Sequence, residues 1–146
     1  MKRDEERLNM YVLEHYVDFE TAKLLKEKGF NMSIRTFYDI EKREIGDEAP
    51  WNWNISALRY SCPTTHFALK WLREEHNIHP NIVCDDFGED EEVLYRIEGI
   101  LRGGKNHRWF NYENKGAFLT YERAAGSVLK YCLENLDYLT TAEYGD

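Results

Sequence analysis

The segment TYERAAGSVLKYCLENL, residues 120–136, constrains the fold more than any other part of the chain. Its apolar residues recur at helical spacing and predict a single buried stripe made of Tyr121, Ala125, Val128, Leu129, Cys132 and Leu136. Thr120 directly precedes this pattern and is a typical N-cap. An amphipathic helix must bury its stripe against another layer, so the rest of the chain has to supply that layer.

Two further helices are predicted upstream. Asp18 is the expected N-cap and Gly29 the expected residue after the C-terminus of a helix over roughly 19–28. A second helix is predicted over about 64–76, where apolar residues again recur at helical spacing.

The two ends of the chain give weaker patterns. Residues 4–16 are interpreted as a short helix or as the start of a strand, which makes 1–16 an N-terminal extension. The tail over 138–146 is expected to be flexible.

Between the helices, alternating or β-branched runs predict strands. A run at 34–45 suits a strand with a turn near Glu41, and Trp51, Trp53 and Ile55 alternate with Asn as in a strand with one buried face. Three more strands are expected, at 78–86, 92–101 and 107–115. Gly-Gly in the connection RGGKN predicts a hairpin between the last two. The predicted fold is therefore a single-domain α+β protein, an antiparallel sheet packed against helices in the order α-β-β-α-β-β-β-α.

Charge and cysteine content narrow the class of protein. The 146 residues carry a net charge of −8, which disfavours nonspecific binding to nucleic acid or anionic membranes. Cys62, Cys84 and Cys132 lie far apart without a CxxC pair, so reduced thiols in a cytoplasmic protein are expected. No membrane span, cofactor or metal site is predicted, because the acidic run at 85–92 lacks the alternation of a calcium loop.

One pair of residues suits nucleophilic chemistry. Pro63 fits the first position of the second helix and makes Cys62 its N-cap or the neighbour of the N-cap, where a helix N-terminus favours a thiolate. His66 follows one turn later, but it lies on the polar side of the helix and no neighbouring residue orients it. Structural capping is the preferred interpretation, and a cysteine-dependent enzyme stays as an alternative, so no catalytic residue is assigned.

Two groups of side chains are candidates for binding. Trp51 and Trp53 could anchor a protein partner, since aromatic residues are enriched at interaction hot spots. Arg102, Lys105 and Arg108 form the local basic cluster, which a nucleic-acid binder would bring together with Lys115 and Arg123. The Gly-Gly-Lys within that cluster is not a P-loop, because it joins two strands and lacks the required spacing.

Several stretches carry a resemblance to a known family: Cys62-Pro63-Thr64, 68–74, 76–78, 121–136 and 19–30. In these stretches the chain resembles a set of small proteins encoded by gut bacteria, Bacteroides-like, and by their prophages or phages. The resemblance touches most of the chain. It implies a bacterial or phage origin and no particular activity.

A second resemblance is one of element order alone. The helix at 64–76, three strands and the helix at 120–136 are similar to the α-β-β-β-α order of double-stranded RNA-binding domains. Such domains place lysines at the start of the last helix to hold phosphates, and here that start is TYERA, with one acid and one base. The expected function is therefore a non-enzymatic accessory or interaction module with a protein partner, a homodimer being left open and nucleic acid a minority alternative.

Overall fold

The computed structural model describes residues 15–85, 93–113 and 116–143, and within these ranges it combines helices with antiparallel strands. The α+β class is thereby confirmed. The strands are divided between two three-stranded sheets rather than joined in one. The chain separates into two compact units, 1–67 and 68–146, each described below by itself. The segment 4–16, interpreted as a short helix or the start of a strand, lies outside the described residues except for its last two.

Helix α1, Phe19–Glu27, begins and ends where the sequence predicts. The Asp18 carboxylate accepts a hydrogen bond from the Thr21 amide at 2.8 Å. At the other end Gly29 adopts φ +91°, and the Phe30 amide donates to the Leu25 carbonyl at 2.9 Å. This 6→1 bond closes a Schellman motif, which fixes the direction in which the chain leaves the helix.

The first sheet has β1, Ile34–Asp39, at its centre, between β2, Ile45–Trp51, and β3, Arg59–Ser61. The predicted turn near Glu41 is confirmed, since β1 and β2 pair as a hairpin with Tyr38 opposite Ile45. The register between them shifts at the far end, where β2 leaves regular pairing. Almost every residue of β2 is exposed, and Pro50 lies within it. A proline and a register shift are typical of edge strands that do not pair with another chain.

The strand predicted over residues 51–55 is wrong. Trp51 ends β2, and Trp53–Ile55 form a 3₁₀ helix. The Asn52 side chain accepts a hydrogen bond from the Asn54 amide at 3.1 Å. A bond from an Asn side chain to the amide two residues later stabilises a turn at this point of the chain. The alternation of aromatic and polar residues therefore reflects a capped turn and not a pleated strand.

Helix α2, Thr65–His76, has the expected length but a different cap. The Thr64 hydroxyl accepts from the Phe67 amide at 3.1 Å, so Thr64 is the N-cap and not Cys62. The Cys62 amide instead donates to the Thr36 carbonyl at 3.0 Å and continues the first sheet beyond β3. The boundary between the two compact units falls within α2, after Phe67.

The second sheet has the order β4-β5-β6, formed by Ile78–Asp85, Leu94–Arg102 and Arg108–Asn111. The hairpin predicted at RGGKN is confirmed, because Arg102 pairs with Arg108 across it. Helix α3, Tyr121–Glu134, packs on β4 and β5, and Thr120 caps it by accepting from the Arg123 amide at 3.1 Å. Its predicted stripe is buried except at the first position: Ala125, Val128, Leu129, Cys132 and Leu136 are buried, whereas Tyr121 is exposed.

The tail predicted to be flexible over 138–146 contains regular structure as far as Thr141. Residues Leu136–Thr141 form a further helix, α4, in which Leu136 and Leu139 are buried. The two leucines lie three residues apart and so share one face of the helix. Residues 144–146 lie outside the described ranges.

Candidate protein-binding surface

The segment from Trp51 to Leu58 crosses from β2 to β3 and is held by side chains that bond to backbone. The Trp53 indole donates to the Ile34 carbonyl at 2.7 Å, and its ring lies 4.7 Å from that of Phe37. The Asn54 side chain donates to the Phe30 carbonyl at 2.8 Å and accepts from the Ser61 amide at 2.8 Å. Trp53 and Asn54 therefore fix the first half of the segment to its surroundings.

The second half is fixed from helix α1. The Lys26 ammonium donates to the Ser56 carbonyl at 2.6 Å and to the Arg59 carbonyl at 3.3 Å. The Leu58 carbonyl accepts from the Ile40 amide at 3.0 Å. A loop with this many long-range bonds has few conformations to lose when it binds a partner.

Three large apolar side chains of this segment remain in solvent. Ile55 is 71% exposed, Leu58 67% and Trp51 56%. Ile55 points outward because Trp53, two residues before it in the same 3₁₀ helix, points inward and is only 9% exposed. We call Trp51, Ile55 and Leu58 the apolar ridge. The three lie within eight residues of the chain, and exposed apolar side chains that form one patch mark interaction sites.

The two tryptophans predicted to anchor a partner differ in their exposure. Trp51 is exposed as a partner anchor must be, but Trp53 is buried and cannot contact a partner without unfolding of its surroundings. The sequence prediction missed Ile55 and Leu58. Asn52, two residues before Asn54, is a turn signal that would have placed position 55 on the outside.

The structure places the Cys62 thiol of the Cys62–His66 pair in the interior, where its protonated form is favoured. Cys62 is fully buried, its thiol donates to the Val17 carbonyl at 3.6 Å, and burial raises its pKa to about 12. The Tyr38 hydroxyl donates to the same carbonyl at 2.8 Å. His66 is exposed on the polar side of α2, as the sequence predicts. A buried thiol that stays protonated near neutral pH is a packing group.

The basic cluster is largely committed to structure. Arg102 is only 9% exposed and donates to the Leu139 carbonyl at 3.1 Å and to the Asn106 carbonyl at 3.0 Å. Arg108 donates to the Glu143 carbonyl. Arg102 thus binds a carbonyl of the last turn of α4, where cations are stabilised by the helix dipole, and Arg108 binds a carbonyl two residues beyond the helix.

This placement removes Arg102 as a phosphate contact and leaves Lys105 exposed on the hairpin loop. Arg123 lies on α3 and Lys115 lies outside the described residues, so the convergence of the five cations in the nucleic-acid hypothesis stays a prediction. The predicted element order from α2 to α3 is present along the chain. The start of α3 carries Glu122 and no lysine.

Comparisons with known proteins add no relative: the chain matches no protein-family model, no curated protein and no solved structure. No helix in the described ranges is long and apolar enough to cross a membrane. Across residues 15–85, 93–113 and 116–143, no three His, Cys, Asp or Glu side chains are grouped as metal ligands would be.

Proposed function

We propose that the protein is a non-enzymatic accessory module that binds another protein through the apolar ridge of Trp51, Ile55 and Leu58. The observation that carries the proposal is the combination of exposure and rigidity. Each of these side chains is more than half exposed, while the backbone between them is held by Trp53, Asn54 and Lys26. Tryptophan at such a position is the residue type most enriched at hot spots.

The shape of the ridge indicates the chemistry of its partner. Side chains that are 56–71% exposed project from the surface, so the matching surface must be an apolar groove that receives them. Functional apolar patches on monomers span about 300–600 Å². A stable interface buries about 800 Å² on each partner, so polar residues around the ridge must form its rim.

A different protein is a better occupant than a second copy of this chain. A twofold interface requires one surface to be complementary to itself, and three projecting side chains offer no groove to their own copies. The edge strand β2 beside the ridge contains Pro50 and a register shift, which disfavours pairing between copies. In keeping with the resemblance noted in the sequence, we place this activity in the cytoplasm of a gut bacterium, with the protein encoded by the bacterium or by its phage.

Site-specific photo-crosslinking in cells of the native host tests the proposal. A benzophenone amino acid replaces Ile55 in one variant and the exposed Glu41, outside the ridge, in the control. We expect one discrete crosslinked protein at position 55 that is absent at position 41, and loss of that product when Leu58→Ser is added. Crosslinking to a second copy alone, an equal product at both positions, or no product would each contradict the proposal.

A further inference from the structure

The second sheet carries two rows of residues on one of its faces. Each row crosses β4, β5 and β6 through paired positions, and the rows are His79-Leu101-Trp109 and Asn81-Gly99-Asn111. Residues two apart on a strand point to the same side, so both rows share one face of the sheet. We call these six residues the sheet platform.

The opposite face of the sheet is buried. Ile78, Ile100 and Phe110 lie on it and are at most 7% exposed, and α3 packs on β4 and β5. The chain after β6 continues the alternation, because the ring of Tyr112 lies against that of Tyr131 on α3. The sheet platform is therefore the solvent side of the second sheet.

Trp109 is the largest side chain of the platform and is 42% exposed. Its ring covers Gly99 on the neighbouring strand, where a Cβ would overlap the Cζ2 and Cε2 atoms of the indole. The indole N–H donates to Asn111 Oδ1 at 3.1 Å. An aromatic ring over a glycine of the next strand also helps to fix the strand register. The ring therefore has few orientations to lose when a ligand stacks on it.

Hydrogen-bonding side chains lie beside this ring. Asn81 Nδ2 donates to Glu98 Oε2 at 3.1 Å, and the register shift between residues 81 and 82 leaves Glu98 without a cross-strand partner on β4. Asn81, Glu98 and Asn111 are all exposed. An amide or a carboxylate has more donors or acceptors than one such bond uses, so each of the three side chains can also bond to a ligand.

A sugar ring combines the two properties that this face offers. One side of a pyranose of gluco or galacto configuration consists of C–H groups with a partial positive charge, which the negative face of an indole attracts. Its hydroxyls both donate and accept, and so match the amides of Asn81 and Asn111 and the carboxylate of Glu98. A ligand that carries phosphate would instead be repelled by Glu98.

The size of the platform favours a small ligand over a protein. Three strands about 4.8 Å apart and two rows two residues apart give a surface of about 10 Å by 7 Å. A stable protein interface requires about 800 Å² on each partner, which is far more than this. One or two sugar rings fit the platform.

We propose that the sheet platform binds a neutral sugar ring of gluco or galacto configuration, at the end of a glycan or glycoside. Trp109 stacks on the C–H side of the ring, and Asn81, Glu98 and Asn111 bond to its hydroxyls. The site lies within the second unit, and the proposal does not depend on protein binding by the apolar ridge.

NMR titration of the full chain with methyl β-D-glucopyranoside tests the inference, and methyl β-D-galactopyranoside forms a second arm. The chain has four tryptophans, so the indole N–H signal of Trp109 is identified by its loss in Trp109→Leu. We expect saturable shifts of this signal, and of amides in 79–81, 98–101 and 109–111, with at least one of the sugars at or below about 10 mM. Cyclohexanol, a ring with a single hydroxyl, and uridine 5′-monophosphate should give no saturable shifts at these concentrations.

Variants separate stacking from hydrogen bonding. Trp109→Leu should weaken sugar binding about tenfold, because it removes the aromatic face. Asn81→Leu, at an exposed position, should weaken binding about fivefold through the loss of one hydrogen bond of about 1 kcal/mol. Trp51→Leu is the matched control, since Trp51 is an exposed tryptophan of the first unit, and it should bind the sugar normally.

Four results would overturn the inference. The first is the absence of shifts with both sugars, and the second is cyclohexanol binding as tightly as they do. The third is tighter binding of uridine 5′-monophosphate, which would assign the platform to nucleobases. The fourth is unchanged sugar binding in both Trp109→Leu and Asn81→Leu.

Discussion

Replacing Asn54 with alanine should destabilise the first unit far more than its position in a surface loop suggests. The side chain satisfies two backbone groups, the Phe30 carbonyl and the Ser61 amide, each at 2.8 Å. Both partner residues are buried, with Phe30 1% and Ser61 0% exposed. Leaving a buried polar group without a partner costs about 1–3 kcal/mol, so losing both bonds should cost about 2–4 kcal/mol.

Urea unfolding monitored by tryptophan fluorescence measures this loss. With an m-value of about 1.5 kcal/mol/M, the midpoint of the first unit should fall by roughly 2 M. Asn31→Ala is the matched control, since Asn31 is exposed and only one residue after Phe30. Its midpoint should shift by less than about 0.3 M. Equal midpoints for the two variants would refute the claim that Asn54 fixes the crossing segment.

Three further predictions concern groups buried away from the ridge. Because burial raises the pKa of Cys62 from 9.0 to about 12, its thiol stays protonated in the folded state and ionises on unfolding. The free energy of unfolding should therefore fall as pH rises from about 9 to 12, and fall less in Cys62→Val; identical urea titrations of both proteins at about pH 8 and 11 would contradict this. Arg102→Met should lower the free energy of unfolding, measured by heat or urea, by about 2–4 kcal/mol, since it removes charged hydrogen bonds to the Leu139 and Asn106 carbonyls. A loss below about 0.5 kcal/mol would show that the guanidinium does not hold α4 in place. Gly99→Ala should lower the free energy of unfolding by about 1–3 kcal/mol, because the new Cβ would lie 2.8 Å from the Phe110 carbonyl oxygen and overlap the Trp109 ring. Gly116→Ala is the control: its Cβ would have no atom within 4 Å, so no loss from overlap is expected.

Local signals in the sequence predicted local structure well. Asp18 and Gly29 bracket α1, and Thr120 caps α3, because each acts on backbone groups within a few residues of itself. The hairpin at Gly103 and Gly104 also follows from its own turn chemistry. In these places no distant part of the chain competes with the local preference.

The predictions that were wrong depend on distant partners. The side chain of Trp53 turns inward because Phe37 and the Ile34 carbonyl receive it, and neither is evident from the alternation of residues 51–55. Arg102 is predicted to be a surface cation, because its residue type gives no sign of the carbonyl that Leu139 of α4 provides for it. Periodicity describes one element at a time, whereas these side chains are placed by the element they meet.

The same contrast between local signals and distant partners holds for the candidate binding surface. An exposed aromatic near residue 51 could be predicted from residue type, but exposure of Ile55 and Leu58 follows from the way the crossing segment is bonded. Tyr112 and Tyr131 lie 19 positions apart in the sequence, and their rings meet edge to face only because the chain after β6 returns to α3. No spacing rule links such residues in advance.

The most direct test of the account is the affinity of the crosslinked partner for two matched serine variants. Leu58 lies on the apolar ridge and is 67% exposed, and Leu119 lies in the second unit and is 59% exposed. A ridge residue at a hot spot contributes about 2 kcal/mol, so Leu58→Ser should raise Kd about thirtyfold in calorimetric titration. Leu119→Ser should leave Kd within about twofold of wild type. Equal effects of the two substitutions, or no effect of Leu58→Ser, would contradict the assignment of the ridge as the binding surface.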